Sequence, residues 1–200
     1  MQSVVTHERR TQLRSATHDL HVELDALASR LDLTTRVDYS RYLLAIAGPV
    51  IGLELALERS GVENVFADWS ERRRRFTLAL DLHALELTAD AIDAPNMSPS
   101  AMFGVMYVLE GSRLGAQVLA KRVGASRDEC VLAARRYLRD SDATHWKSFL
   151  YALEHAHALD ADELIAAARF TFNAFRNAFA FYCPPLVASS TRNALTPAFA

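Results

Sequence analysis

Met106-Tyr-Val-Leu-Glu-Gly-Ser-Arg-Leu-Gly-Ala-Gln-Val-Leu119 is the stretch on which the reading of this chain turns. Its apolar residues recur at helical rather than alternating spacing. Gly111 and Gly115 nevertheless stand four apart on one face, with Gly104 upstream. A glycine inside a helix costs about 0.5–1 kcal/mol relative to alanine. Two such residues on one face therefore need a reason. One reason is close helix–helix contact through a small-residue face. The other is a large flat ligand lying directly on the helix backbone, where any Cβ would collide. Both readings stay open at this point.

The rest of the chain makes those glycines conspicuous. Its 200 residues include 33 alanines, 27 leucines and 20 arginines, but only two lysines, seven glycines and six prolines. That length suits one domain with a real core. Abundant helix formers and few breakers point to an all-α fold and exclude disordered, collagen-like and disulfide-scaffold classes. The Ala- and Arg-rich, Lys-poor composition fits a GC-rich bacterial genome. A formal charge of −2 and a pI near 6.4 give no global basic field to recruit nucleic acid or anionic lipid. Met1–Arg10 lacks the apolar core of a secretory signal. The longest apolar run, Leu43–Leu53, is too short to span a bilayer and is interrupted by Gly48-Pro49. Cys130 and Cys183 form no CxxC or CxxCH pattern, so neither zinc nor a c-type haem is indicated. The expectation is a cytoplasmic protein with free thiols and no membrane segment.

Breakers divide the chain into seven helices, over about Thr6–Ser29, Val37–Arg59, Asp68–Leu87, Pro99–Val123, Arg127–Arg139, Ala143–His157 and Ala161–Phe181. Gly48-Pro49 should kink the second. Gly48, Gly61 and Gly124 read as breakers or helix ends, and Ser98 as an N-cap before Pro99. Nothing alternates long enough for a sheet. Residues 1–182 should form one helical bundle, and residues 183–200, with Pro-Pro and Ser-Ser, a mobile tail.

Among seven histidines, His18 and His21 lie three apart on the first helix and roughly share a face. Their ordinary reading is one surface residue and one core residue. A di-iron carboxylate bundle would need Glu-x-x-His on two different helices, a pair the chain lacks. The run Arg72–Arg75 follows Glu71 in a helical stretch, where four consecutive positions fan around the cylinder. It reads as solvated helix surface rather than a nucleic-acid patch. No Gly-rich phosphate loop or GxSxG elbow occurs.

Two segments together resemble haem oxygenases, the biliverdin-forming family, especially its bacterial members. Leu13-Arg14-Ser15-Ala16-Thr17-His18-Asp19-Leu20-His21 is similar to the family's element ending in the proximal histidine. Tyr107-Val-Leu-Glu-Gly111-Ser112-Arg-Leu-Gly115-Ala-Gln117 is similar to its distal-helix signature. The two stand in the family's order, about 90 residues apart. The resemblance covers roughly residues 6 to 181.

The resemblance implies a haem-oxygenase-like bundle with haem between a proximal N-terminal helix and a bent, glycine-containing distal helix. It makes His21, and not His18, the iron ligand, with Asp25 one turn later as the partner of its second nitrogen. Gly111 and Gly115 match the glycines that let the distal helix lie on the porphyrin. Ser112 stands where animal members have an aspartate that organises distal water, and Ala116 replaces a further glycine. Arg14 and Tyr107 match propionate partners, and Lys147 is a looser match. Phe172, Phe175 and Phe179 suit a pocket wall and equally a core. The implied reaction cleaves haem, both substrate and cofactor, with O2 to biliverdin, carbon monoxide and ferrous iron. Protons would come through ordered distal water. Electrons would come from a ferredoxin or flavin reductase, since the chain carries no flavin or iron–sulfur motif. Iron release and biliverdin supply to a photoreceptor are the two uses implied. The rival readings are a haem-binding or trafficking protein of the same fold without turnover, and a helical interaction domain.

Overall fold

A computed structural model describes residues 8–184. The described residues form helices and one short 3-10 turn, Val62–Asn64, with no strand among them. The helices are α1 (Glu8–Ala28), α2 (Arg36–Arg59), α3 (Trp69–Arg72), α4 (Arg75–Ala84), α5 (Pro99–Val123), α6 (Glu129–Ala133), α7 (Arg136–Arg139), α8 (Ala143–His155) and α9 (Ala161–Tyr182). Residues 1–7 and the expected tail from 185 onward lie outside the described residues.

Caps account for most of the starts. The Thr35, Ser98, Asp128, Asp142 and Asp160 side chains each accept a backbone N–H in the first turn of the helix that follows. Gly61, at φ +79°, turns the chain just after α2 in a conformation that side chains resist. The core is one continuous cluster in which α9 packs against α5, α1 and α2.

Four expectations need correcting. Gly48 is neither a breaker nor a helix end: α2 runs through Gly48 and Pro49 as 24 residues. It is long and apolar enough to cross a bilayer by composition, but 72% of its most apolar window is buried in the bundle. Gly48 acts instead as a close-approach site. Its carbonyl accepts from Ile92 N–H (3.1 Å), and a Cβ on Gly52 would run into the Ile92 carbonyl. The link after α4 thus lies across α2.

The third expected helix breaks at Arg73, whose backbone is extended, and the arginine run is not solvated surface. Arg72 and Arg74 are buried. Arg72 pairs with Asp68 (2.7 Å) and lies 3.6 Å from Glu110, which also pairs with fully buried Arg113 (2.9 Å). Arg73 and Arg75 both reach Glu58 (3.1 and 2.8 Å) and flank the Phe76 ring. The break buries Arg72 and Arg74, while Arg73 and Arg75 stay part-buried beside Glu58.

The fifth expected helix is two, because a residue from elsewhere caps the second. The Asp81 carboxylate, on α4 and fully buried, accepts the backbone N–H groups of Arg136 (3.0 Å) and Tyr137 (2.8 Å). The sixth helix ends at His155, leaving His157 outside it. The chain's single Glu-x-x-His, Glu154 to His157, has its carboxylate at the start of α1, accepting the Arg9 and Arg10 backbone N–H groups.

Candidate haem site

α1 and α5 both lean on α9 rather than on each other, and a cavity of about 480 Å³ lies among them. That volume is within the range of small-molecule sites. α1 contributes His21, α5 contributes Tyr107, Gly111, Ser112 and Gly115, and α9 contributes Phe172, Phe175 and Phe179. Tyr42, Tyr137 and Trp146 complete the wall from α2, α7 and α8.

His21 has a 59% exposed side chain, and its Nδ1 lies 3.0 Å from Asp25 Oδ2. In that contact an Nδ1–H donates to the carboxylate, which leaves Nε2 for a metal. The imidazole meets the Phe172 ring edge-on, with centroids 5.7 Å apart. His18 is exposed and does not line the cavity.

The glycines of α5 divide by role. A Cβ on Gly104 would collide with the Leu164 carbonyl of α9, so close helix contact explains that residue. At Gly115 a Cβ would meet nothing within 4 Å, and at Gly111 only the Trp146 ring at 3.6 Å. No neighbouring element requires glycine at these two positions. They leave a bare strip of helix along the cavity.

Tyr107 is half-buried, and burial pushes its phenol above the ordinary range. Its hydroxyl meets the Thr17 side chain, and the Arg10 and Arg14 charges act on it in the opposite sense. Arg14 is exposed and outside the cavity wall, but near enough to be felt at Tyr107. Lys147 is exposed beside the wall residue Trp146 and does not line the cavity. The Ser112 hydroxyl donates to the Leu109 carbonyl (2.7 Å) and accepts from Arg74 Nη2 (2.6 Å). Tyr42, Tyr137 and Trp146 had no sequence signal of their own. Arg74 had one in the arginine run.

The donor set fits haem. One imidazole has its rear nitrogen engaged, the walls are largely apolar and aromatic, and the glycine strip leaves room that a side chain would fill.

A haem oxygenase from Xanthomonas campestris pv. campestris (strain 8004) is 32% identical over 138 residues, covering 67% of this chain and 84% of its own. The chain belongs to the haem oxygenase family. It is accordingly a haem-degrading oxidoreductase. The haem oxygenase PigA of Pseudomonas aeruginosa is 26% identical over 176 residues, covering 84% of this chain and 89% of its own. The NO- and CO-bound haem oxygenase from Neisseria meningitidis superposes with a TM-score of 0.72 at 18% identity, covering 94% of this chain and 98% of that one. At that identity the superposition speaks for the fold. No family model matches.

Proposed function

We propose that this family member binds haem in the α1–α5–α9 cavity with His21 Nε2 on the iron, and cleaves it to biliverdin, carbon monoxide and ferrous iron. The observation that supports this best is the Asp25-bound imidazole sharing an apolar cavity with the bare Gly111–Gly115 strip. When bound, the haem itself supplies the oxygen chemistry. The chain's residues orient it and shield it. Asp25 fixes the His21 tautomer and ring plane. Gly111 and Gly115 let α5 approach the porphyrin face, and Phe172, Phe175 and Phe179 exclude water from it. Tyr107, with the Arg14 charge behind it, suits a propionate, and Lys147 reaches one only from outside the wall. Electrons come from an external ferredoxin or flavin reductase, and the product serves iron release or a biliverdin-binding photoreceptor.

The test is purified protein with hemin and ascorbate under air. The Soret band should disappear and biliverdin absorption appear. A stable Soret band without verdin would make the protein a haem carrier. Absence of stoichiometric hemin binding would remove the site altogether.

A further inference from the structure

α1 is anchored along its first half and bare along its second. The side chains it buries are Leu13, Thr17 and Leu20, and all precede His21. Its first turn is tied to α8, where Glu154 accepts the Arg9 and Arg10 backbone N–H groups. Arg9 Nη1 in return donates to the Leu153 and Ala156 carbonyls (2.7 and 2.8 Å). From His21 to Ala28 every side chain is exposed or half-buried, and Leu24, Asp25 and Ala28 border the cavity with His21.

Two arginines of α9 hold α1 on either side of His21. Arg169 donates from Nη1 and Nη2 to the two carboxylate oxygens of Asp19 (2.9 and 3.0 Å), and from Nη1 also to the Ala16 carbonyl. Arg176 Nη1 donates to Glu23 Oε2 (3.2 Å). Asp19 and Glu23 stand two residues before and after His21. Phe172, whose ring the His21 imidazole meets edge-on, lies between the arginines, three and four residues away on one face of α9. Stability is not what these contacts supply. All four charged side chains are more than a third exposed, and exposed ion pairs contribute little to folding. A two-pronged guanidinium–carboxylate pair supplies direction, and a bond to a main-chain carbonyl fixes the helix itself.

We infer that Arg169 and Arg176 are positioning residues for the proximal ligand. With Phe172 they set where α1, along and about its axis, presents the His21 imidazole to the cavity. The inference rests on the reading of His21 as the iron ligand. Neither arginine lines the cavity, so both act through α1. The α1 backbone and Asp25 orient the imidazole, but they move with it if the helix slides or turns. Arg169 and Arg176 tie that unit to α9, which supplies Phe175 and Phe179 to the same cavity. Groups around a metal-binding histidine change metal affinity in this way without touching the metal.

The experiment uses the full chain loaded with hemin, as wild type and as Arg169→Gln, Arg176→Gln, Arg169→Lys and the double exchange Glu23→Arg with Arg176→Glu. It reads the iron–histidine stretching band of the ferrous complex by resonance Raman, the rate of hemin loss to apomyoglobin, and the unfolding midpoint of the hemin-free protein. Arg169→Gln should shift and broaden the band and speed hemin loss about tenfold, with the hemin-free midpoint little changed. Arg176→Gln should do the same to a smaller extent. Arg169→Lys keeps the charge but not the fork, so it should fall between wild type and Arg169→Gln. The double exchange restores an ion pair and should return the band toward wild type. An unmoved band in a folded Arg169→Gln, whatever its midpoint, makes these contacts structural and overturns the inference. If circular dichroism shows Arg169→Gln unfolded, an unmoved band in Arg176→Gln overturns it instead. A wild-type hemin complex without an iron–histidine band refutes the ligand reading itself, before any variant is compared.

Discussion

His18 and His21 differ by less than one helical turn, yet only His21 lines the cavity and meets Asp25. His21→Ala should therefore lose axial ligation and turnover, while His18→Ala keeps both. Electron paramagnetic resonance of the ferric complex and the verdin assay would check this, and identical behaviour of the two variants would refute the ligand assignment. Gly115 gives an opposing pair of effects. An added methyl meets no neighbour there, so Gly115→Ala should stabilise the apoprotein by about 0.5–1 kcal/mol in chemical denaturation. The same methyl enters the space proposed for haem, so hemin affinity should fall. A variant that gains stability and binds hemin unchanged would show that the strip is not a haem face. These residues were legible in the sequence because their oddity is local: a glycine pair inside a helix, a histidine at a family position. Tyr137 and Trp146 were not, because each reaches the cavity only through packing set elsewhere in the chain.

Helix starts were readable where a polar cap precedes an apolar run, as at Ser98 before α5. Breaks inside expected helices were not. α6 and α7 are separate because Asp81 brings a carboxylate from α4 to the Arg136 and Tyr137 backbone. No local pattern near residue 134 announces that. Asp81→Ala would leave the buried Tyr137 N–H and the part-buried Arg136 N–H without this acceptor, at about 1–3 kcal/mol for the buried one. Because Tyr137 lines the cavity, the variant should lose hemin affinity as well as stability, measurable by denaturation and Soret titration. Gly104 supplies the counterpart to Gly115 on the same helix. Its Cβ would strike the α9 backbone, so Gly104→Ala should destabilise by about 1–3 kcal/mol. Equal effects at Gly104 and Gly115 would show that the α5–α9 approach is looser than the structure has it.

Across the whole molecule, the apolar core sits beside a belt of buried charge, and the two respond differently to acid. Burial pushes the Glu54 carboxyl above its ordinary value near 4.5, against hydrogen bonds from the Arg74 and Arg75 backbone. The folded chain then holds a proton that the unfolded chain has lost. This contribution to stability therefore falls as pH rises from the ordinary value through the raised one. Asp68 works the other way. The Arg72 guanidinium holds it below its ordinary value near 3.8, and the stability it contributes is lost as pH falls through the lowered value. The stability advantage of wild type over Glu54→Gln should accordingly narrow between pH 4.5 and neutrality, as followed by guanidinium unfolding. A constant difference would mean that the carboxyl titrates normally. The all-α class was legible from composition, whereas this belt was hidden, because a run of arginines looks the same whether a helix exposes it or a break buries part of it. The packing of α9 also orders events in time. Arg169 of α9 bonds Ala16 and Asp19 of α1 across some 150 positions of chain. During synthesis His21 leaves the ribosome long before the helix that must pack behind it. Nascent chains halted before α9 would therefore lack the formed cavity, and, on the proposed ligation by His21, haem capture would mark a chain translated at least through that helix.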